Sequence, residues 1–419
     1  MKKRLCWLVV ILVLSFSSLV AAKAVTLDLW ITPFAPREEL FDLVGEFNAS
    51  QEDIEIELNV LDWGTGRERI RQAVASGRGP DLFFIGTGLD QSYIDANLLL
   101  PLEDAGFTTE ELAVFNDLIE ANRVSGKTLA APLLYETYVL FYRTDILADY
   151  GYETPPADWA ELKSMAADIT ERSNGKIMGY QHKGPDDHLN AINLTWPTFL
   201  YQAGGQVVDR ESMTSSLDTP EGREALEYMY SFYQDKVSTV GPSASAGFRE
   251  GKVAMYIFNQ TPIHSEEYAF DPEMEGKWAV APLPMGPING GGYVGGHSVA
   301  INATTKYPQE AGTFLRWFAS PKQTLWIEYG YGIPVFDLDK LDADSKADIQ
   351  AILDQDPDTW AAILEQLNRC DPNYMVDQRY GNAARSDAQK RYIMGVMTGD
   401  LSIEKALESI DREVNQSIQ

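Results

Sequence analysis

The sequence predicts an α/β fold with a mainly parallel sheet flanked by helices. Three observations carry this. The N-terminal hundred residues alternate strand and helix patterns, which is the signature of β-α-β units. The strand Leu82-Phe83-Phe84-Ile85 is short and wholly apolar, as in a sheet covered on both faces. The 419 residues exceed what one core serves, so more than one structural unit is expected.

The elements follow in order. Val25 to Trp30 alternates apolar and polar side chains and reads as a strand. Residues 37 to 48 place Leu40, Phe41, Val44 and Phe47 at helical spacing. Ile54 to Val60 alternates strictly and reads as the second strand. Residues 67 to 76 read as a helix ended by Gly77, with Pro80 close behind. Leu82 to Ile85 lies between Gly-Pro-Asp and Gly-Thr-Gly turn chemistry. Further helices are expected at 158 to 173, where Asp158 with Glu161 forms a capping-box-like start, at 220 to 235 and at 307 to 319. More are expected between 343 and 370 and between 386 and 416. In open sheets of this kind ligands sit in loops at the carboxyl ends of strands. Those loops are Trp30 to Phe34, Leu61 to Gly66 and Gly86 to Asp90.

The opening 24 residues carry a basic start (Lys2, Lys3, Arg4), an apolar run from Leu5 to Leu14 and small residues at Ala22 and Ala24. That is the pattern of a cleavable secretory signal; the run is too short for a membrane anchor. Its removal takes away four cations and no acids, moving the net charge from −28 to −32. Such acidity repels phosphate backbones, so no nucleic-acid partner is expected. Cys6 leaves with the signal, and Cys370 remains alone, without a disulfide partner. No cysteine stands at the cleavage site to be lipidated, so a soluble periplasmic product is expected.

Four ordered segments resemble the extracellular solute-binding proteins of ABC importers, the family that includes maltose-binding protein. They are Ala75 to Phe84, Gly126 to Pro132 with Leu140 to Leu147, Phe248 to Met255, and Ala281 to Pro284 followed by a glycine cluster. The closing stretch Gly399 to Asn415 resembles the family's last helix. In the second segment Arg143 and Thr144 stand where the family usually has Asn-Lys. The resemblance implies two α/β lobes of the type II periplasmic-binding-protein fold, joined by hinge crossovers. Lobe one would hold 25–135 and 276–325, and lobe two 136–275 and 326–419. It also implies a monomer that captures a small molecule, expected to be a carbohydrate, by lobe closure and delivers it to membrane permease subunits.

Sugar sites pair aromatic faces with carboxylate, amide or guanidinium groups. Phe34, in the loop after the first strand, serves either as a stacking face or as core. Trp63 stands beside a glycine in a loop, poor core material, and is assigned to the cleft. Thr87 and Gly88 lie in a loop that the resemblance places in the cleft; the alternative is a plain turn. Asp81 is read as structural. By resemblance Glu136, just after the hinge proline, is the strongest ligand-binding residue, followed by Thr137. Asn193 and Trp196 are placed near the cleft mouth, with helix core the alternative for Trp196. Asn259 and Thr261 follow an apolar strand and serve either the ligand or a hinge turn. Gly290 to His297 matches neither a P-loop nor a dinucleotide fingerprint; it is read as a cleft loop carrying Tyr293 and His297. Tyr331, by resemblance, is a stacking residue.

No cofactor, catalytic group or metal site is expected: the four histidines are scattered and no cysteine pair remains. Two alternatives stay open. One is the same scaffold carrying glycerol phosphate or a polyamine; the other is an exported glycosidase using paired carboxylates.

Overall fold

The computed structural model describes residues 24–63, 65–182, 191–239, 243–259, 271–377, 379–380 and 382–418. The expected signal segment, apart from Ala24, and Thr261 lie outside them. The chain opens with β1 (Val25–Ile31), α1 (Arg37–Ser50), β2 (Ile54–Val60), α2 (Gly66–Ala75) and β3 (Leu82–Gly86). Alternation decides which faces go inward: Leu27, Leu29 and Ile31 of β1 are fully buried, while Asp28 between them is exposed. Asp81, read as structural, accepts the Asp28 amide at 3.1 Å and the Thr305 hydroxyl at 2.6 Å.

The main sheet runs β5-β4-β7-β3-β1-β2, where β4 is Ala131–Arg143, β5 is Met255–Asn259 and β7 is Val294–Asn302; β6 (Trp278–Ala281) also pairs with β4. The parallel pairs are β1–β2 and β1–β3. The pairs that β4 and β7 make, with each other and with β3, β5 and β6, are antiparallel. The parallel expectation therefore holds for the N-terminal strands only. The reason is β4. Its thirteen residues are buried almost throughout, so they show no alternation, and the strand runs from the first core into the second.

The second core lies under α3 (Trp159–Arg172), α4 (Ala191–Gln202) and α5 (Pro220–Gln234). The terminal helices α9 (Asn382–Met397) and α10 (Ile403–Ile418) complete it through Ala388, Ile393, Leu407 and Val414. α6 (Pro308–Phe318) packs on the first core, and so does α7 (Pro357–Arg369), which was expected with lobe two. Trp326, Trp360 and Ile363 are buried in the larger core, and α7 packs against β4 and β6. Among the described residues no helix is long and apolar enough to cross a membrane.

One buried group in the second core makes stability depend on pH. His182 is 1% exposed, among Tyr180, Phe199, Phe232 and Tyr233. Burial drives its pKa from 6.5 down to about 3, offset in part by the Met229 backbone. The folded state thus refuses a proton that the unfolded chain accepts below pH 6.5. Stability should fall as pH drops through that window, by about 2 kcal/mol between pH 6.5 and 5 from this group. Urea unfolding of wild type and His182→Leu at both pH values measures it; equal losses in the two proteins would remove His182 as the cause.

Candidate functional site

The site is built where β2, β3, β4 and β7 end or bend. Trp63 follows β2. Asp62 fixes the turn by accepting the Thr65 amide at 2.7 Å and its hydroxyl at 2.8 Å. Trp63 stays 40% exposed, with its ring edge-on to Phe84 at 5.8 Å and 5.3 Å from the His297 ring. Arg67, in the first turn of α2, holds its guanidinium 5.5 Å from both the Trp63 and Phe84 rings.

His297 sits on β7 opposite Gly86 and Leu134, at a shift in register between His297 and Ser298. Irregularities of this kind re-aim side chains. The imidazole Nε2 lies 3.0 Å from Glu136 Oε1, and both side chains are nearly buried. Glu136 projects from β4 opposite Gly295. A Cβ on Gly295 would lie 2.2 Å from the Tyr293 hydroxyl. Glycine there lets the phenol fold back and donate to Glu136 Oε2 at 3.4 Å. Asn259, ending β5, also hydrogen-bonds the carboxylate.

Burial opposes the charge on Glu136. The facing His297, with Arg67 and Asn259, outweighs it and holds the carboxyl below its usual range. Burial also raises the Tyr293 hydroxyl, and the Glu136 charge adds to the effect. Among the described residues, three buried polar atoms beside this carboxylate are without a protein partner: Asn259 Oδ1, His297 Nδ1 and the Tyr138 hydroxyl. Buried polar atoms are normally paired. Their grouping near the exposed Trp63 indole makes this the candidate site.

A sequence model described as bacterial extracellular solute-binding protein matches residues 32–325. The chain belongs to that family. A probable ABC transporter-binding protein of Deinococcus radiodurans is 31% identical over 240 residues, 54% of this chain and 55% of the relative. A maltotriose-binding protein of Pyrococcus abyssi is 27% identical over 312 residues, 70% of this chain and 62% of its own. The chain thus spans between half and two thirds of the length of these curated relatives. Among solved structures, an ABC transporter solute-binding protein of Thermotoga lettingae bound with α-D-tagatose superposes with a TM-score of 0.78 at 22% identity, covering 94% of this chain and 100% of that one. The maltose-bound MalE3 of T. maritima gives 0.75 at 24% identity, with coverage of 94% and 100%. These likenesses establish the two-lobed fold.

Within this family member, Trp63, Glu136, Asn259, Tyr293 and His297 converge on one site. Several other expected residues do not line it. Phe34 is fully buried in the first core and backs the site, its ring 6.5 Å from that of His297, and Trp196 is fully buried in the second core. The Thr137 hydroxyl donates to the Tyr293 carbonyl at 2.8 Å and so braces the site from behind. Thr87 pairs with the Ser298 hydroxyl at 3.1 Å. Gly88 is covered by Met375, whose carbonyl oxygen would lie 2.2 Å from any Cβ placed there. Tyr331 is half-buried against the larger core. Asn193 lies on α4, and its side chain is outside the described set. Sequence reasoning missed Arg67, Phe84 and Tyr138. The available signal for Arg67 was its spacing of four residues from Trp63.

Proposed function

We propose that this protein is the exported solute-binding subunit of an ABC importer and that it captures a carbohydrate between its lobes for delivery to a membrane permease. The observation carrying the sugar reading is the pairing of an exposed Trp63 face with the buried Glu136 carboxylate and its unsatisfied polar neighbours. An indole covers the C–H face of a pyranose, and a carboxylate with an amide takes its hydroxyl protons. The Glu136 carboxylate is offset by the nearby Arg67 guanidinium and by side-chain hydrogen bonds from His297 and Asn259. That balance suits a neutral polyol better than a phosphate or a polyamine. Solved relatives bound to tagatose and maltose support the same class.

The protein binds without turnover. Glu136 faces a histidine and an arginine, whereas glycoside hydrolysis uses two carboxylates across the scissile bond. Binding energy realised only with the lobes shut selects the shut state.

Calorimetric titration with D-tagatose, maltose and maltotriose tests the reading. At least one should bind, with no product on incubation. Trp63→Ala should weaken that binding about tenfold, the scale of a lost aromatic contact, with thermal unfolding unchanged. No heat from these or other common sugars, or release of cleaved product, would contradict it.

A further inference from the structure

The segment between α7 and α9 touches both lobes. It forms the single-turn helix α8 (Asn373–Asp377), followed by Arg379 and Tyr380. On one side it grips the first lobe. Met375 lies directly against Gly88 in the loop after β3. Arg379, 8% exposed, donates through Nε to the Gly88 carbonyl at 2.5 Å. One terminal nitrogen reaches the carbonyls of Ala121 at 2.5 Å and Arg123 at 3.1 Å. The Arg379 carbonyl in turn accepts the Gln91 amide at 3.2 Å.

On the other side the segment grips the second lobe. Asp377, 1% exposed, accepts both arms of the Arg210 guanidinium at 2.7 and 2.9 Å, and the Tyr201 hydroxyl as well. Arg385 donates to the Asp377 carbonyl at 3.3 Å. Tyr374 lays its ring 4.7 Å from Tyr201 and 5.7 Å from Tyr293, which carries the segment to the edge of the sugar site. Tyr201 lies in the last turn of α4, and Arg210 follows it in the second lobe.

Residues two apart in the chain thus hold opposite lobes, and the lobes cannot separate unless one grip lets go. We propose that the stretch bearing Tyr374, Met375, Asp377 and Arg379 is a latch that ties the two lobes beside the Glu136 site and keeps them together without ligand. Each grip is a set of charge-assisted hydrogen bonds on a buried side chain, Arg379 or Asp377, so release is a discrete step rather than a gradual slackening. The latch sets how much of the ligand-free protein is already shut, and therefore the apparent affinity for any ligand.

Small-angle scattering of the ligand-free protein tests this without knowing the ligand. Arg210→Gln weakens the second-lobe grip by removing both guanidinium bonds to the buried Asp377 carboxylate, through a side chain that is 38% exposed. Arg379→Gln removes the first-lobe grip. Both variants should show a larger radius of gyration than wild type. Both should also show about tenfold faster amide exchange in peptides covering 82–96 and 371–380. Asn373→Ala, at an exposed position with no role in either grip, should match wild type. If Arg379→Gln fails to fold, Arg210→Gln decides alone. An Arg210→Gln protein that is folded by circular dichroism and as compact as wild type overturns the latch. So does faster exchange confined to 371–380 with an unchanged radius, which would mean that the segment simply rides on the first lobe.

Discussion

Glu136→Gln is expected to weaken sugar binding by about 10- to 100-fold, the range for hydrogen bonds to a charged group lost from a site closed to water. The amide keeps the size of the side chain and its place on β4. It loses the charge that His297 and Arg67 face, and one of its two acceptors becomes a donor. His297 and Asn259 must then reorient, or a ligand hydroxyl goes unmet. Titration of wild type and variant with the tightest-binding sugar measures the effect. A melting temperature close to wild type separates loss of the site from loss of the fold. Unchanged affinity would remove Glu136 from the ligand's contacts.

Trp196→Ala is expected to cost stability by about 3–5 kcal/mol, the usual range for emptying a fully buried aromatic position. The ring is 0% exposed in the second core, in the middle of α4. Any effect on sugar affinity should be indirect and small at a temperature where the variant is folded. Denaturant unfolding beside a titration distinguishes the two roles. Lost affinity with unaltered stability would return Trp196 to the cleft mouth, where sequence reasoning first put it.

The pair Trp63 and Trp196 shows what sequence can and cannot reveal. Trp63 was legible because a tryptophan beside glycine after a strand has no helix or sheet face to bury it. Trp196 was not, because a helical tryptophan looks the same whether its ring faces a core or a ligand. β1, β2 and β3 were legible from alternation and flanking turns. β4 hid its reach because a strand buried on both sides has no alternation, and its antiparallel partners come from residues more than 100 positions away. Glu136, Asn259, Tyr293 and His297 were each recognisable as ligand chemistry, but their convergence depends on the bend in β7. Thr87 and Gly88 carried the right chemistry for a cleft loop. Gly88 is covered by Met375 and Arg379, almost 300 residues downstream, and Thr87 pairs with Ser298, which no local pattern reports. Arg67 was overlooked because a charged residue in the first turn of a helix ordinarily faces water.

The central claim is that a sugar is held at the Glu136–His297 pair. The protein has four histidines, so imidazole resonances can be assigned one by one with His297→Gln as the reference. Nuclear magnetic resonance during titration with D-tagatose, maltose and maltotriose then reads the site directly. The account predicts that at least one sugar shifts the His297 signals in a saturable way and leaves those of buried His182 nearly still. A panel in which no sugar moves His297, or in which a sugar binds while His297 stays unchanged, would contradict it.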